Sequence, residues 1–227
     1  MTEYDKAFRD FLLPMVNENR LALIDRILKN RTRYVTVLLE DIYQSHNASA
    51  VLRTCDCFGI QDVHIVENRN TYELNPDVEL GAAQWLTLHK YNKSRNNTER
   101  SILSLKEKGY RVVAATPHTD DVQVADLELD TGRVAIMLGT EMKGLSERAL
   151  SMADEYVKIP MTGFTESFNI SVSAAIILYE LNTRLRRSDI DWSLQPSENE
   201  EVKYQWIRNS VNHITRIERG FKKKYYG

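Results

Sequence analysis

The middle of the chain alternates short, nearly continuous apolar runs with longer segments in which polar and apolar residues are mixed. The runs are rich in β-branched residues, as is typical of strands buried on both faces of a parallel sheet. We predict strands at residues 34–40 (YVTVLLE), 62–67 (DVHIVE), 85–91 (WLTLHKY), 110–116 (YRVVAAT), 133–139 (RVAIMLG) and 155–161 (EYVKIPM). With helices between them, this pattern predicts an α/β fold, a parallel sheet with helices on both faces.

Helices are predicted where apolar residues recur at helical spacing. One spans residues 45–59 (SHNASAVLRTCDCFG), with a cap signal at Ser45 and Asn47 and an end at Gly59. Others are predicted at residues 96–109, in the loop and short helix of residues 140–150, and in the N-terminal region, where Leu21, Ile24, Ile27 and Leu28 form an apolar face.

The segment GFTESFNISVSAAIILYE (residues 163–180) carries two patterns. Residues 167–173 alternate as a strand does, whereas an apolar stripe with helical spacing starts at Ile170. The stripe consists of Ile170, Ala174, Ile177, Leu178, Leu181 and Leu185. We predict a loop that enters a core helix from Asn169 to Arg187.

The pattern divides the chain into three parts. Residues 1–32 are predicted to be an N-terminal helical extension, residues 33–187 the core domain, and residues 188–227 a linker with a basic, partly helical C-terminal extension. The linker prediction covers residues 188–201 (SDIDWSLQPSENEE), whose composition is typical of a loop.

Composition excludes several classes of protein. The 227 residues are 42% hydrophobic, enough for one good core. No apolar run could cross a membrane, and the acidic N-terminus is a poor signal peptide. Cys55 and Cys57 are too few for a disulfide framework or a zinc site, and the histidines lack an HExxH pairing. We expect a reduced, cytoplasmic protein without a metal.

Charge is unevenly distributed along the chain. Residues 203–227 contain seven Lys/Arg and one Glu, a net charge of +6, so the remainder carries −8 of the total of −2. Tyr204, Trp206 and Phe221 lie among these cations, and a second basic cluster near the N-terminus includes Arg26, Arg31 and Arg33. Cations mixed with aromatic residues suit RNA, although solvated helix faces would show the same pattern.

Three strand ends carry residues that could form a ligand site, because ligands bind at the carboxyl ends of parallel strands. Taken one by one, these residues have ordinary explanations as helix caps, turn glycines or solvated charges. No Walker loop or GxGxxG pattern is present. Taken alone, these residues indicate an α/β ligand-binding domain but do not identify its function.

Taken together, HNASAVLRTCDCFGI, IMLGTEMKGLS and IPMTGFTESFNISVSAAIILYE resemble the three motifs of the SpoU/TrmH family. These are RNA ribose 2′-O-methyltransferases of the SPOUT superfamily, and the resemblance covers residues 26–187. The segment RILKNRTRYVTVLLEDIYQSHNASAVLRT is similar to the branch that methylates guanosine 18 of tRNA. The third motif differs at Phe168, where relatives commonly carry Leu.

The resemblance implies a deep C-terminal trefoil knot and a homodimer through the knot region. It implies S-adenosyl-L-methionine as cofactor and tRNA as partner. The cofactor-binding residues would be Thr116, Leu138, Gly139, Gly144, Ile159, Met161 and Phe168. The catalytic residues would be Arg53, Asn47, Glu141, Ser167 and Asn169. From the charge pattern, RNA-binding residues would be Arg26, Arg31, Arg33, Lys222, Lys223 and Lys224.

Arg53 matches the residue that the family is proposed to use on the ribose hydroxyl. A guanidinium keeps its proton, so a clamp on the adjacent phosphate that stabilises the developing alkoxide is a better role than a base. Asn47 would orient Arg53 or the ribose, and Glu141 would hold Arg53 or a neighbouring loop. Ser167 and Asn169 would shape the pocket.

Three alternatives stay open at this point. The same chemistry could act on ribosomal RNA or on another tRNA ribose. A non-catalytic RNA-binding protein could have kept the fold. An ordinary nucleotide-binding domain is disfavoured because it would need a phosphate-binding loop.

Overall fold

We describe the protein from a computed structural model covering residues 1–72, 75–117, 122–140 and 142–225. The helices are α1 Glu3–Leu12, α2 Glu18–Leu28, α3 Ser45–Cys57, α4 Pro76–Glu79, α5 Asn97–Glu107, α6 Glu147–Met152, α7 Ile170–Arg187, α8 Pro196–Asn209 and α9 Ile214–Tyr225. The strands are β1 Val35–Glu40, β2 Asp62–Val66, β3 Thr87–Tyr91, β4 Arg111–Ala115, β5 Val122–Gln123, β6 Val134–Leu138 and β7 Glu155–Lys158. Two compact units result: Thr32–Trp192, and Met1–Arg31 with Ser193–Gly227.

The larger unit is built on a seven-stranded sheet in the order β3-β2-β1-β6-β4-β7-β5. All of its strand pairs are parallel; β1, for example, pairs with β6 from Val35 opposite Val134 to Leu39 opposite Leu138. The predicted parallel α/β sheet is thus confirmed. The first and last residues of each predicted strand lie within three residues of those of an observed strand. The carboxyl ends of β1, β6, β4 and β7 lie side by side at one edge of the sheet.

Both faces of this sheet are covered, which explains the nearly continuous apolar runs. Val35, Val37 and Leu39 of β1 belong to a buried cluster that includes residues of α3 and α7. Leu38, on the opposite face of the same strand, belongs to a second cluster with residues of α5 and α6. Successive side chains of a strand point to opposite faces, so one apolar run supplies both clusters.

Helix α7 confirms the interpretation of residues 163–180 as a loop entering a helix. Asn169 is its N-cap, and the Asn169 side chain accepts a hydrogen bond from the backbone N–H of Ser171 at 2.8 Å. The buried residues of α7 are those of the predicted stripe: Ile170, Ala174, Ile177, Leu178, Leu181 and Leu185.

The predicted cap of α3 is wrong. The residue at the N-cap position is Gln44, and it makes no side-chain cap bond. Asn47 instead lies in the first helical turn, where its Nδ2 donates to Gln44 Oε1 at 3.1 Å. The side chain of Asn47 is buried and has a long-range partner, so a tertiary contact has replaced the local one.

Some elements were not predicted. The α4 turn, a 3-10 helix at Ala82–Trp85 and the two-residue edge strand β5 are too short to show a period. The predicted linker is wrong over its second half, because α8 begins at Pro196. Gln195 and Glu198 form a capping box there, with proline in the first turn.

The smaller unit contains α1, α2, α8 and α9. Phe221 of α9 packs against Phe8 and Phe11 of α1, with ring centroids 5.0 and 4.9 Å apart. Arg208 of α8 donates to Glu218 of α9 at 2.8 Å. Within the described ranges of both units, no helix is long and apolar enough to cross a membrane.

Candidate active site

A cavity of about 330 Å³ lies at the carboxyl ends of β4, β6 and β7. These strands are neighbours in the sheet, so the loops that follow them converge. Two segments line one part of the cavity: the end of β4 with the residues after it (Ala115, Thr116, Pro117), and the end of β6 with the segment through α6 (Leu138, Gly139, Thr140, Met142, Lys143, Gly144, Leu145, Leu150). The rest is lined by residues around the end of β7 (Val157, Ile159, Met161) and by the loop before α7 with the first turns of that helix (Glu166, Ser167, Phe168, Ile170, Ser173, Ile177).

Backbone forms one wall of this cavity. The N–H of Thr140 donates to the carbonyl of Gly144 at 3.0 Å, and the N–H of Gly144 donates back at 2.8 Å. A Cβ on Gly139 would lie 2.1 Å from the carbonyl carbon of Gly144, and Gly144 has a φ of +66°. Only glycine permits this close return of the chain, because a side chain at position 139 would collide with the backbone at position 144.

The structure brings all seven predicted cofactor residues to this cavity: Thr116, Leu138, Gly139, Gly144, Ile159, Met161 and Phe168. They come from three separate loops. Their spatial grouping follows from the strand order, in which β4 lies between β6 and β7.

Two of the predicted catalytic residues are in direct contact. Asn169 Nδ2 donates to Asn47 Oδ1 at 3.1 Å, which joins the first turn of α3 to the N-cap of α7. Asn169 lies between Phe168 and Ile170, both of which line the cavity, so the asparagine pair is at the cavity's edge. Ser167 lines the cavity itself.

Arg53 does not line the cavity. It is exposed on α3, six residues after Asn47 and about 9 Å further along the helix axis. Its side chain makes no hydrogen bond or ion pair with any described residue. Glu141, the fifth predicted catalytic residue, lies outside the described residues.

The structure corrects part of the predicted RNA-binding set. Arg31 is 2% exposed, with its guanidinium over the Trp206 ring at 4.9 Å. Arg33 is largely buried and pairs with Asp62 at 3.0 Å. Both arginines therefore have packing roles. Arg26, Lys222, Lys223 and Lys224 are exposed.

Sequence reasoning missed charged residues at the site. Glu166 and Lys143 line the cavity, and each adjoins or follows a residue that the motifs had singled out. Glu40 was also missed. Its buried carboxylate accepts hydrogen bonds from the Ser146 N–H at 2.8 Å, the Ser146 hydroxyl at 2.7 Å and the Thr98 hydroxyl at 2.6 Å. The sequence feature that could have pointed to Glu40 is its place as a carboxylate at the end of an apolar strand.

Glu40 thereby fixes the loop that forms the cavity wall, because Ser146 closes the segment after β6. The described residues contain no group of three or more His, Cys, Asp or Glu side chains that could hold a metal ion. The arrangement suits a ligand with apolar and polar parts, held by backbone groups and apolar side chains.

Comparison with known proteins agrees with this geometry. Residues 34–179 match the SpoU rRNA Methylase family. The chain is 42% identical over 207 residues to a tRNA (guanosine(18)-2'-O)-methyltransferase of Borreliella burgdorferi, covering 91% of this chain and 93% of that protein. It is 34% identical over 193 residues to the protein of the same name from Thermus thermophilus, covering 84% of this chain and 97% of that one.

Solved structures show the same fold. The A. aeolicus TrmH/SpoU tRNA modifying enzyme superposes with a TM-score of 0.76 at 25% identity, over 86% of this chain and 98% of that one. The SpoU methyltransferase AviRb from Streptomyces viridochromogenes, solved in complex with AdoMet, superposes with a TM-score of 0.60 at 22% identity, over 72% of this chain and 65% of that one. Sequence and fold agree that the chain belongs to the SpoU methylase family.

Proposed function

We propose that this protein transfers a methyl group from S-adenosyl-L-methionine to a ribose 2′-hydroxyl of tRNA, at guanosine 18. The observation that carries the proposal is the 42% identity to a tRNA (guanosine(18)-2'-O)-methyltransferase over 91% of this chain. The three-loop cavity supports it, because it combines in one place every residue expected to hold the cofactor.

The residues present fit S-adenosyl-L-methionine. Leu138, Ile159, Met161 and Phe168 offer apolar surface for an adenine ring, and the loop closed by Gly139 and Gly144 lets a ligand approach the backbone without an intervening side chain. Glu166 is a carboxylate at the same cavity and suits a cationic group. When bound, the cofactor supplies an electrophilic methyl group on its sulfonium.

The chain's own residues would position the hydroxyl and stabilise charge. In-line attack by the ribose 2′-oxygen forms the O–CH₃ bond as the S–CH₃ bond breaks, and the hydroxyl proton passes to the adjacent RNA phosphate. Arg53 would clamp that phosphate and stabilise the alkoxide as it develops. Asn47 and Asn169, joined to each other, and Ser167 would keep the ribose in attack geometry.

A homodimer is part of this proposal, with the predicted trefoil knot at its interface. Arg53 does not line the cavity of its own chain, so a second copy could bring an arginine to it. The proposal also includes Glu141 as a residue holding Arg53 or a loop, RNA contacts by Arg26, Lys222, Lys223 and Lys224, and a cytoplasmic location. The core domain of residues 33–187 would carry the chemistry, and residues 1–32 and 188–227 would be its extensions.

The proposal is tested with labelled cofactor, unmodified tRNA and mapping of the methylated ribose. We expect methylation at guanosine 18. Arg53→Ala should lower kcat by at least 100-fold with cofactor affinity nearly unchanged, because the lost guanidinium acts on the RNA and not on the cofactor. Calorimetry measures the affinity and single-turnover assays measure the rate.

Arg100→Ala is the matched control, since Arg100 is an exposed helical arginine that does not line this cavity. Normal turnover by Arg53→Ala would refute the role of Arg53. A methyl group on another nucleotide would favour one of the alternative RNA substrates. Cofactor binding without transfer to any RNA would favour a non-catalytic protein.

A further inference from the structure

A second, larger cavity adjoins the first. Its volume is about 1040 Å³, and it shares Thr140, Lys143, Gly144 and Leu145 with the first cavity as a common wall. Its other lining residues come from the end of β1 (Glu40, Asp41), the loop after β2 (Asn68, Arg69), the loop into α5 and its first turn (Arg95, Asn96, Thr98, Glu99), and the N-cap and first residues of α6 (Ser146, Glu147, Arg148). We call this cavity the polar groove.

The polar groove is unlike a protein-docking surface. Leu145 is the one apolar side chain that lines it within the described ranges, whereas the cores of protein interfaces are apolar and depleted of charge. Its chemistry is that of charged and amide groups, so its ligand is expected to be polar and hydrated.

Most acidic groups of the polar groove are already engaged. Both oxygens of Glu40 accept hydrogen bonds from Ser146, and one also accepts from Thr98. Asp41 Oδ1 accepts from the backbone N–H groups of Asn68, Arg69 and Asn70 at 3.0, 2.7 and 2.9 Å. Glu99 pairs with Arg148 at 2.9 Å.

The basic groups are not engaged in the same way. Arg69, Arg95 and Lys143 make no side-chain hydrogen bond or ion pair with any described residue. Glu147 is the one acidic side chain of the groove without a partner in the same ranges. The groove lining contains four carboxylates and four cations, so its formal charges balance. All four cations are exposed, whereas Glu147 is the one fully exposed carboxylate among these described residues. The accessible surface of the groove therefore favours an anionic ligand.

The backbone that carries two of these cations is held in place. The three N–H bonds to Asp41 fix the loop at Arg69. The loop at Arg95 is fixed by Asn97, whose Oδ1 accepts from the Ser94 N–H at 3.0 Å and whose Nδ2 donates to the Glu67 carbonyl at 2.8 Å. Rigid loops with free guanidinium tips favour binding, because little backbone conformational freedom has to be lost on binding.

We propose that the polar groove binds the phosphates of the RNA strand next to the methylated ribose, through Arg69, Arg95 and Lys143. The inference rests on the proposed function, since it is the shared wall with the first cavity that makes RNA the anionic ligand. The forked guanidinium groups match phosphate oxygens, and Asn96 is free to contact the ribose or a base edge. The groove thus fixes the strand while the first cavity holds the methyl donor.

The test is the double variant Arg69→Gln/Arg95→Gln in the full chain, with unmodified tRNA as ligand. The matched control is Arg100→Gln/Lys108→Gln, which removes the same charge from two exposed residues of α5 and its C-terminal end that line neither cavity. We measure the tRNA Kd from 50 to 300 mM salt, the KM and kcat of methyl transfer, and the cofactor Kd by calorimetry.

Loss of two phosphate contacts should lower the slope of log K against log salt by about 1.4, since each contact on a single strand contributes about 0.7. We expect the tRNA Kd and KM to rise about 10-fold or more, with kcat and cofactor Kd changed less than about 2-fold. The control should keep the slope of the unaltered protein.

If the double variant and the control have the same tRNA Kd and the same dependence of that Kd on salt, the proposal that the groove binds RNA is refuted, even if the unaltered protein methylates tRNA. Failure of the unaltered protein to methylate tRNA would instead overturn the proposed function. If that inactive protein bound tRNA through Arg69 and Arg95, the groove would still be supported, so the two failures are distinguishable.

Discussion

At Gly139 the surrounding backbone leaves no room for a side chain. A Cβ at this position would lie 2.1 Å from the carbonyl carbon of Gly144, 2.2 Å from its oxygen and 2.3 Å from the nitrogen of Leu145. Backbone atoms cannot yield as a flexible side chain would. Any side chain at position 139 must therefore open the bridge between Thr140 and Gly144, which forms a wall of the first cavity.

Gly139→Ala should weaken cofactor binding by about 10-fold or more, because the loop that forms this wall of the cavity is displaced. Calorimetric titration with S-adenosyl-L-methionine measures this, and circular dichroism checks that the fold persists. Gly163→Ala is the control, since the nearest atom to its Cβ would be the Thr165 nitrogen at 4.0 Å. An unchanged Kd for Gly139→Ala would contradict the role of this loop.

At the residue scale, the motifs predicted which residues line the cavity better than they predicted where the catalytic residues lie. Gly139, Ile159 and Phe168 line the cavity because each follows a strand whose end lies there. Asn47 and Asn169, separated by 122 positions, proved to be hydrogen-bonded partners. No local pattern indicates such a pair, or that Arg53 would not line the cavity of its own chain.

The pairing of β2 with β3 places a polar network between two strands. His64 lies opposite His89, with the rings stacked at 4.5 Å, and His64 Nδ1 is 3.0 Å from the Tyr91 hydroxyl. His89 Nε2 lies 3.3 Å from Asp62 Oδ1. Burial lowers the pKa of His64 from 6.5 to about 3, with a smaller contribution from the charge of His89.

This network should make stability depend on pH. Between pH 6.5 and about 3, His64 binds a proton in the unfolded chain but not in the folded one, so the free energy of unfolding falls as the pH falls. The slope is at most about 1.4 kcal/mol per pH unit. Urea unfolding at pH 7.5, 6, 5 and 4.5 measures it.

The variant His64→Gln should lose this part of the slope, whereas His46→Gln, at an exposed position of α3, should keep it. Asp62 contributes little to the slope at the pH values measured, because its carboxyl group is largely ionised in both states at pH 4.5 and above. Burial opposes its ionisation, but the close contact with His89 and the charge of Arg33 lower its pKa below 3.8. Equal slopes for both histidine variants would show that the β2–β3 network is not the origin.

At the scale of the whole molecule, large apolar side chains are exposed near the carboxyl edge of the sheet. Tyr43 follows β1, Met142 follows β6, and Phe164 and Phe168 follow β7. Tyr179 is 60% exposed on α7, where its ring contacts Phe58 at 6.2 Å. Exposed apolar surface of this kind marks an interaction site, which supports the proposed homodimer.

The unaltered chain should therefore have a solution mass of about 52.6 kDa, twice 26.3 kDa, by light scattering. Tyr179→Glu should shift this mass towards that of one chain, because it places a charge in the proposed apolar interface, while the circular dichroism spectrum stays unchanged. Leu103→Glu is the control, since Leu103 is 46% exposed on α5, which covers the other face of the sheet. A single-chain mass for the unaltered protein would refute the dimer.

The sequence by itself determined those strands and helices in which the spacing of apolar residues shows which sides are buried. The buried strands and the stripe of α7 are of this kind, since strands buried on both faces and a helix buried on one side leave different spacings of apolar residues. The order of the three motifs determined which loops would carry the site and which family the chain belongs to.

Only the tertiary structure decided which side chains meet. The strand order put β4 between β6 and β7, and thereby brought Thr116, Gly139 and Ile159 to one cavity. Tertiary packing also buried Arg31 against Trp206 within the smaller unit, and within the larger unit it set Glu40 against Ser146, 106 positions later. The physical reason is that periodicity records how much each residue is buried, whereas the partner of a polar group is chosen by long-range packing.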